Sequence, residues 1–334
     1  MTTAPRTPDT APSYATPLAE LAWPFEPGAD TYRYWINVER GRRPVATAAG
    51  SWGRHVLEVD GGYPAVMAER TAILDREPRR CSALPHALPA AWEALEFGLA
   101  EIAPQRPDLF RLQRGDDGVL RWRNDLLGTR WSARTGDPLV DGAHPLAALA
   151  GQVQEDLFLL GPREDRLYVD AVAATFTGSW SSSFSLGMSF ADLHSPVPRI
   201  RDSGMVDRTE RFLLSLDPGD VYRRTNWSIY DSGRLDASLE ASHRRDPGHA
   251  VRSATEHRYG SLRLRVELQH LVRLPATGAL LFLIKTQLAA FADIVTVPQW
   301  AGQLRSVLAE LPEDMAAYKG FARYRPGLLD WFDL

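Results

Sequence analysis

The chain is expected to fold as α+β, with a curved antiparallel sheet at its centre and helices on either side of it. Three observations predict this. Apolar residues recur at helical spacing early in the chain, as Trp92, Leu95, Leu99 and Ile102. Over residues 261–275 they alternate instead, with Leu262, Leu264, Val266, Leu268, Val272 and Leu274 on one strand face. Two helical segments with proline in the first turn, 298–311 and 312–321, close the chain. Helices, then antiparallel strands broken by short helices, then helices is an α+β order.

The elements follow in sequence. Trp23-Pro24-Phe25 anchors the entry, 56–60 reads as a short strand, and 63–74 as a helix with Val66, Arg70 and Ile73 on one side. A stronger helix runs from Pro89 to about Ile102 and is stopped by Pro104. Residues 109–112 and 118–122 form a hairpin around Gly115-Asp116-Asp117-Gly118. Leu146, Leu149, Val153, Leu157 and Leu160 make a helical stripe ending at Gly161-Pro162, and a β-rich section begins at Leu167. Residues 212–216 and 221–230 are strand-like. The stretch 231–257 is polar and aperiodic, with His243, His249 and His257 among arginines in no metal-binding spacing, and reads as a solvated lid or insertion. After the 261–275 strand, Pro275-Ala-Thr-Gly278 turns the chain into 279–286, apolar on both faces like a central strand.

Composition narrows the function. With 334 residues, 44% of them hydrophobic and 24% charged, the chain has ample material for a core. A net charge of −4 and a pI near 6.1 supply no electrostatic basis for nucleic acid or an anionic membrane as partner. No apolar run approaches the ~18–20 residues of a membrane span. The single cysteine, Cys81, excludes a disulfide framework and a cluster held by several cysteines of this chain. There is no Gly-x-Gly-x-x-Gly after a strand, so redox chemistry here would draw its electrons from another protein. Residues 1–17, rich in Thr, Pro and Ala and lacking the apolar core of a signal peptide, read as a disordered tail, and the protein as cytoplasmic. Residues 18–334 then form a single domain.

Two places carry candidate chemistry. His194 precedes Ser-Pro-Val-Pro, whose prolines stiffen the backbone and bar a helix from continuing, as a metal or cofactor ligand requires; a solvated histidine at a helix end is the plainer reading. On the 261–275 strand, Arg263, Arg265, Glu267, Gln269 and Arg273 occupy the face opposite the aliphatics, while His270 sits among the aliphatics. That polar face is either solvated or the wall of a polar-lined cavity. Arg224 and Asn226 share a face of a second strand and could join it. Arginines grip carboxylates in bidentate fashion, which suits a ligand carrying two acids.

Several blocks resemble the large, haem-binding subunit of the haem-dependent oxidative N-demethylases, also described as dimethylamine monooxygenases. They are Val56-Leu-Glu-Val-Asp60 with Tyr63 and Arg70, Gln154-Glu-Asp156, His194-Ser-Pro-Val-Pro198, Arg224-Thr-Asn-Trp227, Arg265-x-Glu267-x-Gln269 and Arg273-Leu-Pro-x-Thr-Gly278, in family order from about residue 23 to 320. The resemblance implies haem b held in a PAS-like core over about 166–290, after a helical part to about 165 and before C-terminal helices at 298–322. It implies O₂ as co-substrate, electrons from a separate flavin and iron–sulfur reductase, and a small secondary amine as substrate. His194 is the implied axial ligand. Arg224, Asn226, Arg265 and Glu267 are the implied cofactor-binding residues, and Gln269 or His270 contacts O₂ or substrate; His270, which shares a strand face with the aliphatics, is the competing candidate for axial ligand. A non-catalytic haem sensor, a cofactor-free subunit of the same fold and a thiolate ligand from Cys81, favoured by Arg79 and Arg80, are the alternatives. Three departures bear on substrate and electron-partner docking: Leu186 where a basic residue commonly precedes the glycine, His270 where a hydroxyl residue commonly follows the glutamine, and Lys285-Thr-Gln287 in place of Arg-Thr-Tyr.

Overall fold

The computed structural model describes residues 12–33, 36–139, 142–200, 203–242 and 249–333. At its centre is a seven-stranded sheet in which every neighbouring pair is antiparallel. In spatial order the strands are β1 (Glu39–Arg40), β10 (Val221–Tyr230), β11 (Arg263–Arg273), β12 (Leu280–Ala290), β8 (Asp156–Arg163), β9 (Arg166–Ala173) and β4 (Cys81–Ala83). A two-stranded sheet, β2 (Val45–Ala46) with β3 (Ser51–Trp52), and a three-stranded one, β5 (Phe110–Arg114), β6 (Val119–Asn124) and β7 (Thr129–Arg134), lie outside it. The α+β expectation holds at this level: helices and open antiparallel sheets are mixed, and the sheet is not closed.

Alternation along β11 sorts the layers. Leu264, Val266 and Leu268 face α8 (Pro298–Glu310), α9 (Glu313–Tyr318), α10 (Arg325–Phe332) and the entry residues Leu21 to Trp23, all in one cluster of buried side chains. Further along that face, Val272 with Leu281 and Leu283 of β12 joins α1 (Tyr63–Arg76), α2 (Leu88–Ile102) and α3 (Pro145–Ala150). The opposite face carries Leu271, Leu280, Ile284, Phe158 and Leu160, which pack beneath α4 (Phe190–His194) and α5 (Met205–Leu214).

Several expected elements are corrected. Residues 56–60 have no strand partner among the described residues. The amides of Glu58, Val59 and Asp60 donate instead to side-chain oxygens of Glu155, Gln105 and Gln154, which replace a ladder. The 146–160 stripe is two elements: α3 ends at Gly151, and Leu157 to Leu160 belong to β8. A strand buried on both faces has no period of its own, so its leucines extended a helical count by coincidence. Residues 212–214 end α5 rather than forming a strand. The 231–257 stretch is not uniformly solvated: Leu235, Asp236, Ala237 and Ser238 are buried, and Arg80 Nη1 holds Asp236 Oδ1 at 3.2 Å. Its later part contains α6 (His249–Thr255), while His243 lies outside the described residues. Of the expected tail, residues 1–11 also lie outside them, and 14–16 are tied down by Tyr14 N–H to Gly233 O and Thr16 N–H to Leu288 O, each 2.7 Å. β7 and α10 were not foreseen; α7 (Phe291–Ile294) is a single turn that follows β12 directly.

Candidate functional site

A cavity of about 560 Å³ opens between the α4–α5 face of the sheet, the entry residues 24–33 and 36–38 and the end of α9. That size falls within the range of ~300–1,000 Å³ typical of small-molecule and cofactor sites. Its wall divides by strand. Leu271, Phe282, Ile284, Phe158 and Leu160 make an apolar floor over β11, β12 and β8, whereas β10 and β11 contribute a polar edge.

The polar edge follows from strand register. Arg224 lies opposite Gln269 and Asn226 opposite Glu267, and directly paired antiparallel residues project to the same side. Arg224 Nη1 donates to Gln269 Oε1 at 2.8 Å, Gln269 Nε2 to Glu267 Oε2 at 3.0 Å and Asn226 Nδ2 to Glu267 Oε2 at 3.3 Å. All four line the cavity. Arg224 Nε is buried and finds no hydrogen-bond partner among the described residues. Burial pulls the Arg224 guanidinium below its ordinary range, against the attraction of Glu267.

His194 enters the cavity from the other side. It closes α4, a five-residue helix that is capped by Ser189, whose hydroxyl accepts from Asp192 N–H, and that cannot extend through Pro196 and Pro198. Nδ1 lies 2.7 Å from Phe190 O, and a carbonyl can only accept, so Nδ1 carries the proton. The unprotonated Nε2 is thereby the nitrogen available for a metal or an acid. Burial lowers the His194 pKa and the Arg224 charge adds to this, although the Phe190 carbonyl opposes it, so the neutral ring is favoured.

The other expected site residues do not join this cavity. Arg265 is fully buried but spends its guanidinium on backbone: Nη1 donates to Leu235 O at 2.9 Å, and Nη2 to Phe176 O and, at 3.0 Å, to Thr286 Oγ1. It ties two loops to the sheet. His270 is the neighbour of Gln269 on β11 and therefore faces the opposite side, paired with Arg223 and Leu283. It is 2% exposed, its Nε2 has no partner among the described residues, and burial, with Arg223 and Arg42, pushes its pKa down to about 3. Cys81 sits on the far edge strand β4, and burial pushes its thiol up to about 11, the reverse of an activated thiolate. Arg80 beside it is turned toward Glu77 and Asp236.

One lining residue lay outside the expectation altogether. Lys319, just past α9, reaches the polar edge with Nζ 3.0 Å from Asn226 Oδ1. No local motif announced it, because Asn226, its hydrogen-bond partner in the site, is 93 residues away in the chain.

The donor set fits a haem. Its single histidine presents a free imidazole nitrogen over an apolar floor, and an under-partnered cation stands at the polar rim where acidic side groups would lie. Among the described residues no three or more His, Cys, Asp or Glu cluster as ligands, so an ion held by His194 would take further ligands from a macrocycle or solvent. No helix among the described residues is long and apolar enough to cross a membrane. The profile of one protein family, described as haem-dependent oxidative N-demethylase, alpha subunit-like, matches residues 48–329.

Proposed function

Because this chain belongs to the haem-dependent oxidative N-demethylase, alpha subunit-like family, we propose that it binds haem b in the cavity and oxidises a small amine with O₂, using electrons from a separate flavin and iron–sulfur reductase. His194 holds the iron through Nε2. Arg224, with Asn226, Glu267 and Gln269 around it, receives a propionate. The haem supplies the oxidative chemistry when bound. The protein's part is to set the ligand tautomer through Phe190 O, to exclude water with the apolar floor and to orient the acidic groups at the polar edge.

The observation that carries this reading is the His194 geometry: a half-buried imidazole whose Nδ1 is occupied by a backbone carbonyl and whose ring lines the cavity. A PAS-like core is supported by chain order. β8 and β9 pair, α4 and α5 follow, and β10, β11 and β12 then complete a five-strand run whose helices cover the cavity face. The entry segment, the sheet and α9 all contribute to one cavity, which supports treating 18–334 as a single haem-binding domain. Gln269 remains on the cavity wall and is the group available to O₂ or substrate; His270 is not.

The test is spectroscopic. Protein produced with ample haem should carry a Soret band and release its pigment into acid–acetone. Supplied with NADPH alone it should turn over no amine, and with a reductase it should consume O₂ and release formaldehyde. Colourless protein that also fails to take up hemin ends the proposal.

A further inference from the structure

The polar edge holds more positive than negative charge. Arg224 and Lys319 both line the cavity, and Glu267 is the carboxylate between them, yet among the described residues neither cation forms an ion pair. The ion pair recorded for Glu267 is with Arg265 Nε, at 3.8 Å.

Lys319 is placed there by a built turn. Ile229 N–H donates to Lys319 O at 2.8 Å, so the end of α9 lies along the edge of β10 beyond the short β1. The next residue, Gly320, has φ +76°, and a Cβ on it would stand 2.5 Å from Ile229 O, so only glycine allows that approach. Lys319 Nζ then donates to Trp227 O at 2.7 Å and to Asn226 Oδ1 at 3.0 Å, and lies 4.7 Å from the Trp227 ring centre. The side chain is 7% exposed. An ammonium has three donors, and these contacts use two. Burial, with Arg224 close by, pushes Lys319 down to about 7, against the pull of Glu267. Two desolvated cations with spare donors at one rim call for an anion.

We propose that Lys319 is the second cation of a carboxylate clamp with Arg224, and that the clamp receives an acidic group of the bound ligand. This deepens the cofactor reading and rests on it. The carboxylate belongs either to a haem propionate or to an amine substrate that is itself an acid.

The test uses the full chain, titrated by absorbance with hemin and with hemin dimethyl ester, which lacks the acids. Wild-type protein should prefer hemin. Lys319→Met should lose roughly tenfold in hemin affinity, the loss of one charge-assisted hydrogen bond, with ester affinity unchanged, and Lys319→Arg should retain the preference. In a second arm the hemin-loaded proteins are titrated with N-methylglycine and its methyl ester. A Lys319→Met effect confined to N-methylglycine assigns the carboxylate to substrate. If neither preference changes, or if hemin and its ester weaken together, the clamp is overturned while the haem site stands. Wild-type protein that binds neither porphyrin overturns both.

Discussion

His194 Nδ1 donates to Phe190 O at 2.7 Å, one helical turn back in the same five-residue helix, and the two rings lie 4.2 Å apart. An imidazole orientation set within four residues does not depend on distant packing. His194→Ala should therefore abolish the histidine-ligated signature in ferric and ferrous–CO absorption spectra, with the rest of the fold retained. His270→Ala should leave that signature in place, because His270 stands on the other face of β11. Loss of the signature in the second variant instead would reverse the assignment.

Arg224 and Arg265 should separate in the same way. Arg224→Leu removes a cation with an open donor at the cavity and should weaken hemin retention about tenfold or more. Arg265→Leu leaves the carbonyls of Leu235 and Phe176 without their donor and should cost on the order of 2–4 kcal/mol of stability. The measurements are hemin dissociation and denaturant midpoint for each variant. A destabilised Arg224→Leu with normal hemin retention would contradict the division of roles.

Glu155 sets a pH dependence of stability. Burial pushes its carboxyl up to about 7, Lys285 and the Glu58 amide opposing this, and its Oε2 has no partner among the described residues. The folded chain thus holds a proton that an unfolded glutamate releases near pH 4.5. Stability from this group is complete below that pH and is lost as the pH rises through 7, by up to about 3 kcal/mol. The neighbouring Asp60, lowered by its ion pair with Lys285 at 2.7 Å against the cost of burial, acts below this window. Glu155→Gln, which keeps an acceptor for the Glu58 amide, should flatten the fall between pH 5 and 8 in urea titrations.

Hemin affinity should depend on pH through Lys319. The groups facing it are Arg224 on β10, Glu267 on β11 and Tyr318 in its own turn, with Arg33 and Glu26 also on the cavity wall. Without ligand Lys319 sits at about 7; a bound carboxylate raises it. Affinity is then level below pH 7 and declines above it, by up to tenfold per pH unit. In Lys319→Met the decline from this group should vanish.

Some of this was written locally in the chain. The alternation of β11 placed Leu264, Val266 and Leu268 opposite Arg265, Glu267 and Gln269, and the Pro-stiffened exit from His194 marked the histidine that lines the cavity. Periods of two and of about 3.6 residues, and the backbone limits of proline, are set within a few residues, so the sequence by itself determined them. The same alternation already put His270 on the aliphatic face, and the fold keeps it there. What a polar face meets is another matter. Arg224 and Arg265 read alike as buried-strand arginines, but loop carbonyls from Phe176 and Leu235 engage one, while the other borders open space. The leucines of β8 matched a helical count because a strand covered on both faces carries no period, and only its pairing with β9 and β12 decided the element. Lys319 joined the site through a turn laid on β10 from nearly a hundred residues away. Tertiary structure decided these because each depends on which distant backbone or side chain reaches a buried donor first, and no local period encodes that.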